Sequence, residues 1–180
     1  MILISLDGGS KTQRNLTEDA IRYFVAELLP RKRSLLIDVS IRNILKEGMA
    51  GCCEFMGKNE FKITLHHRGH LYDYISYLAH EMVHLKQYAT KELGPKETWK
   101  GKCFANVAYS KQPWEKEAWG RQHALAKMFI HEKLGLTLIA SKDTNPRSMK
   151  TMNWDSEMKY LGNIAEKEAN GDYETAARQI

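Results

Sequence analysis

Cysteine is scarce in this chain, and the three it has do not form a framework. Cys52 and Cys53 are adjacent and Cys103 stands alone, an odd set whose adjacent pair cannot reach ordinary disulfide geometry, so reduced thiols are expected. No CxxC pair occurs, which excludes a zinc ribbon or finger built on thiolates. Long hydrophobic runs are also missing: no apolar stretch approaches the roughly 20 residues that a membrane helix needs, and no membrane partner is expected. The opening MILISLDGGSK lacks a basic segment followed by a long apolar one, so a secretory signal is not expected and the address reads as cytoplasmic. Basic charge is in excess, at a formal +5, but it is not concentrated. The tightest cluster is Arg31-Lys32-Arg33, and the remaining Lys and Arg are spread along the chain, so nucleic-acid binding is only weakly supported. Internal repeats and low-complexity tracts are absent.

What is present suits an ordinary globular protein. A length of 180 residues fits one compact domain with an appendage, and 43% hydrophobic with 27% charged residues is the balance of a chain that folds around a core. Residues 2–6 read as a short strand, followed by a turn at Asp7-Gly8-Gly9-Ser10. Asn15 or Thr17 is expected to cap a helix running to about Leu29, with Ile21, Phe24, Val25 and Leu28 on its apolar stripe and Pro30 ending it. LLIDVSIRNI (35–44) reads as a second strand, and residues 60–67 alternate, with Phe61, Ile63 and Leu65 on one face and Lys62, Thr64 and His66 on the other. A helix should follow to a stop at Gly94-Pro95, and a second strong helix should begin near Pro113 and end around Gly135. LTLIA (136–140) is strand-like, and a helix is expected from about Asp155 to Ala169. The division is therefore a main domain over 1–140 and a helical appendage over 141–180.

The chemistry is concentrated in YLAHEMVHLKQY (77–88), which contains His80-Glu81-Met82-Val83-His84. On a helix at about 100° per residue, His84 falls about 40° from His80, while Ile75, Leu78, Met82 and Leu85 gather on the far side at roughly 140–220°. Two imidazoles four residues apart on one face can bind a single Zn²⁺, and Glu81 between them can reach a water on that ion as general base without ligating it. An open catalytic zinc needs a third protein ligand. Gln87 and Thr90 occupy the places where a metzincin would carry its glycine and third histidine, so that class is excluded. The best third ligand lies in PWEKEAW (113–119). Glu115 shares a helix face with Ala118, Gln122, Leu125 and Phe129, whereas Glu117 lies about 200° round. Glu115 is the expected ligand, and Glu117 is the alternative.

HEMVH followed about thirty residues later by Glu-x-x-Ala on a second helix resembles the gluzincin arrangement, in particular the small minigluzincin and SprT-like metallopeptidases often encoded by phages. The resemblance covers about residues 35–134. It implies an α+β zincin-like fold, with a small twisted, mainly antiparallel sheet packed on the motif helix and the following third-ligand helix. It also implies a zinc-dependent peptidase, in the host cytoplasm if phage-encoded, with His80, His84 and Glu115 on the metal and Glu81 as general base. In such families the residue four after the third-ligand glutamate is commonly Asp or Asn; here it is Trp119, which removes a usual partner for ligand orientation. SprT-like proteins often carry a cysteine-based ribbon and use histidine as third ligand, so the missing ribbon favours the minigluzincin side. The resemblance further implies that a peptide or protein substrate pairs along the strand at 60–67.

Other residues invite weaker readings. Tyr109 and His123 are candidates for stabilising an oxyanion. His66, His67 and His70 could suggest a second metal but suit a strand surface better. Cys52-Cys53 resembles the cysteine ligand of peptide deformylase, although the glycine-rich motif expected upstream is missing. Tyr72, Tyr74, Tyr77 and Tyr88 could form an aromatic wall or cover core edges. The competing function is a binding or regulatory module that keeps the fold with little or no catalysis, possibly on DNA.

Overall fold

The structure, a computed structural model, describes residues 1–43, 50–67 and 69–135. The strand-like segment at 136–140, the expected helix at 155–169 and the appendage at 141–180 lie outside the described residues. Within them the chain runs β1 (Ile2–Gly8), α1 (Lys11–Leu28), β2 (Leu35–Arg42), β3 (Gly51–Gly57), β4 (Glu60–His66) and α2 (Leu71–Ala89). Three two-residue strands follow, β5 (Leu93–Gly94), β6 (Thr98–Trp99) and β7 (Lys102–Cys103). A short 3-10 helix (Tyr109–Lys111) then leads into α3 (Pro113–Leu134).

The class is α+β, with three α-helices among the described residues and a mixed main sheet in the order β1-β2-β4-β3. The expectation of a mainly antiparallel sheet is overturned: β1 pairs parallel with β2, β2 pairs parallel with β4, and only β3 and β4 run antiparallel. The reason lies in the connections. Strands β1 and β2 are joined through the 18 residues of α1, a crossover long enough to return the chain to the same end of the sheet. The β3–β4 hairpin then turns through Lys58-Asn59, with Asn59 at φ 66°, and inserts its second strand beside β2. Its first strand is left outside.

That insertion corrects a second expectation. The strand at 60–67 pairs on both sides, with β2 through Leu36↔Glu60 to Arg42↔His66 and with β3 through Gly51↔Leu65 to Gly57↔Glu60. It has no edge to offer a peptide; among the described residues the edge strand on that side of the sheet is β3.

One face of the sheet carries the core. Leu35, Ile37, Val39 and Ile41 on β2 and Phe61, Ile63 and Leu65 on β4 are all buried, as the alternation requires. The opposite face is mixed, with Leu3 and Leu36 exposed beside a Ser5–Asp38 hydrogen bond and ion pairs Arg42–Asp7 and Lys62–Glu54. Helix α2 lies on the apolar face through Ile75, Leu78, Met82 and Leu85, and α3 packs extensively along it. Helix α1 completes the layer with Ile21, Phe24, Val25 and Leu28, and the rings of Tyr23, Phe24 and Phe129 meet at 5.6–5.8 Å. Sandwiched between sheet and α3, α2 is buried on its polar side as well as its apolar one.

Two helix ends differ from expectation. Ser10, and neither Asn15 nor Thr17, caps α1: its side chain accepts from the Gln13 amide at 3.1 Å. Thr17 lies inside the helix, fully buried, with its hydroxyl 2.7 Å from that of Tyr74. Helix α2 ends before Gly94-Pro95. Thr90 is its C-cap and Lys91 takes the left-handed conformation at φ 61°. The amides of Lys91 and Glu92 bond back to the carbonyls of Tyr88 and Gln87 at 3.0 and 2.8 Å, which is a Schellman closure built on lysine where glycine is usual. Helix α3 starts on Pro113 and closes on Gly135 at φ 65°, as read from the sequence.

Candidate metal centre

Helix α2 places His80 and His84 one turn apart on the face that α3 covers, and the first turn of α3 delivers Glu115 between them. Nε2 of His80 and Nε2 of His84 are 3.1 Å apart. The carboxylate of Glu115 spans both, with Oε2 3.4 Å from His80 Nε2 and Oε1 3.4 Å from His84 Nε2. All three residues are buried, at 5–8% exposure. Among the described residues they form the group of three metal-ligating side chains whose donor atoms lie within 4.8 Å of one another. His66, His67 and His70 join no such group, nor do Cys52 and Cys53, which are free thiols. Glu117 points elsewhere, to Lys86 Nζ at 3.0 Å and Gln87 Nε2 at 3.1 Å.

Two glutamines hold the rings. Oε1 of Gln122 lies 2.8 Å from Nδ1 of His80, and Oε1 of Gln87 lies 2.9 Å from Nδ1 of His84. An amide oxygen only accepts, so each Nδ1 carries a hydrogen and each Nε2 of a neutral ring presents a lone pair. Two lone pairs therefore face each other beside a carboxylate in a buried space. Oε2 of Glu115 has no hydrogen-bond partner there. Such a convergence of acceptors is costly unless a cation sits among them, and two imidazoles with one carboxylate are a donor set suited to zinc. The residues present fit a metal ion.

The electrostatics describe the same demand. Burial opposes the charge on Glu115, but the adjacent His80 and His84 rings, most strongly when protonated, and the nearby Tyr109 hydroxyl favour it and hold its pKa down to about 2. Burial also opposes charge on His84, yet the hydrogen bond to Glu115 and the nearby Glu81 raise its pKa above the usual histidine value. Glu81 shifts upward, chiefly because it is buried, with the two histidines offsetting part of that shift. A raised carboxylate pKa suits a group that must both take and return a proton.

Glu81 faces the sheet edge. A β-carbon on Gly51 would come within 2.8 Å of Glu81 Oε1 and 2.9 Å of its Cγ, so β3 can approach the carboxylate this closely only because residue 51 is glycine. A cleft opens along this line in two lobes. One, of about 540 Å³, is bounded by Gly51, Tyr77, His80, Tyr109, Trp119 and Gln122. The other, of about 210 Å³, runs past Cys53, His84, Tyr88, Leu93 and Trp114.

Trp119 is half-exposed and sets its indole edge-on to the His80 ring at 4.8 Å. It orients no ring nitrogen, and that task falls to Gln122 a turn further along α3. Tyr109 borders both lobes and lies beside Glu115 in the smaller one. His123 is on the exposed side of α3, stacked on Tyr72 at 5.8 Å with Nδ1 3.0 Å from its hydroxyl, and does not line the cleft. Tyr74 is core, whereas Tyr77 and Tyr88 border one lobe each.

Gln87, Gln122 and Gly51 are the site residues that sequence reasoning missed. Gln122 was on the face shared with Glu115, and Gln87 lies three residues beyond His84 on the same helix, so helical spacing alone could have nominated both. Gly51 had only its position beside the cysteines to mark it. No family model, no curated protein and no solved structure matches this chain.

Proposed function

We propose that this protein is a zinc-dependent metallopeptidase of the small gluzincin-like kind, with a zincin-like fold, in which His80, His84 and Glu115 hold the metal and Glu81 is the general base. The observation that carries the reading is the pair of His80 and His84 Nε2 atoms, 3.1 Å apart beside the Glu115 carboxylate, with each Nδ1 already committed to a glutamine oxygen. A zinc ion bound there supplies Lewis-acid polarisation of the scissile carbonyl and lowers the pKa of the attacking water.

The chain's own residues do the rest. Glu81, buried and shifted upward in pKa, accepts the proton from the water and returns it to the departing amine. Tyr109 borders both lobes of the cleft, where its hydroxyl can donate to the developing oxyanion. The outer edge of β3, which pairs with no other strand among the described residues, begins at Gly51 beside Glu81 and is suited to an extended peptide pairing as an added strand. Aromatic groups at both ends of the cleft, Tyr77 and Trp119 on one side and Tyr88 and Trp114 on the other, favour apolar side chains flanking the cleaved bond.

The test is Glu81→Gln with a quenched peptide library and a zinc assay. Retained zinc with hydrolysis lost by a factor of about 10² or more supports the proposal. Wild-type protein that binds zinc but cleaves no peptide would point to the binding-module alternative. A chain that takes up no zinc would remove both the metal and the peptidase.

A further inference from the structure

Gln87 makes three polar contacts with one amide. Nε2 donates to the Trp114 carbonyl at 3.0 Å and to Glu117 Oε2 at 3.1 Å, while Oε1 faces His84 Nδ1 at 2.9 Å. A backbone carbonyl and a carboxylate can only accept, so both Nε2 hydrogens are committed. The amide cannot turn over without setting its oxygen against two acceptors. Glu117 is itself fixed, by Lys86 Nζ at 3.0 Å and Arg121 at 3.3 Å, and Lys86 is tied in turn to Glu92. The other glutamine is less constrained. Gln122 Nε2 meets Nε2 of His123 at 3.2 Å, a nitrogen that can donate or accept according to tautomer.

We propose that Glu117 is a positioning residue for the metal centre: it holds the Gln87 amide in the one orientation that puts the His84 proton on Nδ1 and presents Nε2 to the ion. Glu117 touches neither the metal ligands nor the cleft, and it acts through Gln87 alone. Its acceptor is charged, and a charge-assisted hydrogen bond is about twice as strong as a neutral one, so it outweighs the Trp114 carbonyl as the anchor. Because that carbonyl remains, removing Glu117 weakens the orientation without abolishing it. The consequence for metal affinity rests on the zinc reading above; the tautomer of His84 does not.

The experiment uses the full chain as wild type, Glu117→Gln and Glu117→Leu. The ring nitrogens of ¹⁵N-labelled histidine are read by NMR in metal-free protein, at a pH where the rings are neutral, and zinc affinity is measured by chelator competition. Wild type should show His84 as the Nδ1–H tautomer. E117L should mix in the Nε2–H form and bind zinc more weakly by roughly threefold to tenfold, below the 10–100-fold typical when a residue bonded directly to a ligand is lost. E117Q keeps an acceptor oxygen and should hold the tautomer, with affinity within about twofold of wild type.

E117L matching wild type in His84 tautomer overturns the proposal. So does an equal loss of zinc affinity in E117Q and E117L with the tautomer unchanged, since that makes Glu117 a remote charge or a purely structural ion-pair partner. Should E117L fail to fold, wild-type His84 found as Nε2–H is sufficient to overturn it, and Nδ1–H retained in E117Q supports it. If wild type binds no zinc, the metal reading fails while the His84 tautomer still tests the role of Glu117.

Discussion

Gly51 and Glu81 stand so close that a β-carbon on the glycine would lie 2.8 Å from the glutamate Oε1. The edge strand and Glu81, the proposed general base, are thus fitted to each other, and the contact runs from Oε1 to Cγ of a single side chain that a change of rotamer can swing away. Gly51→Ala should therefore fold and keep its metal ligands while pushing Glu81 aside. A misplacement of about 1 Å in a reacting group can cost about 10² in rate, and a loss of that order in kcat/KM with zinc content unchanged is the expected result. Steady-state kinetics with metal analysis on the same sample checks it; an alanine variant of wild-type activity would show that Glu81 does not work from this position.

Gln87→Leu and Gln122→Leu each remove the acceptor of one ligand Nδ1–H. Loss of a partner at this distance from a metal typically lowers affinity by about 10–100-fold. Both variants should show weakened zinc binding in a competition titration, with far-UV circular dichroism unchanged. Trp119→Ala, by contrast, removes a ring that packs on His80 without bonding it. It should alter KM and peptide preference more than zinc affinity.

Zinc should also stabilise the fold, because ligands from α2 and α3 come together only in the folded state. At a free zinc concentration of about 100 times Kd the gain is about 2.7 kcal/mol, enough to raise Tm by several degrees in a protein of this size. The effect should vanish in His84→Ala and reverse with a chelator. It should also fall with pH. The raised pKa of His84 means that protons compete for the site at a higher pH than they would at a free histidine. Zinc stabilisation is therefore complete above that value and is lost as pH falls through it, which differential scanning calorimetry across a pH series would reveal.

The sequence was most informative where local pattern and burial agree. The alternation of Phe61, Ile63 and Leu65, the stripe of Ile21, Phe24, Val25 and Leu28, and the helical faces carrying His80, His84 and Glu115 are consequences of period alone, and the structure buries each of them. Strand pairing was not legible in that way. β4 has the same alternation whether it lies at an edge or between β2 and β3, and only the path of the chain through α1 and the β3–β4 hairpin determines its place. Gln87 and Gln122 were hidden for a different reason: an amide becomes an orienting group only when a neighbouring helix brings a histidine or carboxylate to it. Resemblance pointed to residue 119 for that task, and packing assigned it elsewhere.

The end of α2 shows how a missing signal can conceal a regular structure. Lys91 holds the left-handed conformation at φ 61°, with the backbone bonds of a Schellman closure, and no glycine marks the position. A side chain there clashes with its own backbone at a cost that glycine avoids, so Lys91→Gly should remove strain. Glycine also gives the unfolded chain more freedom, which offsets part of the gain. The net expectation is a stabilisation of about 0.5–1 kcal/mol, read as a higher denaturation midpoint with unchanged slope. Zinc affinity should not move, since Lys91 lies beyond the helix end and contacts none of His80, His84 or Glu115. A destabilised variant would mean that the lysine side chain contributes more to this corner than its backbone costs.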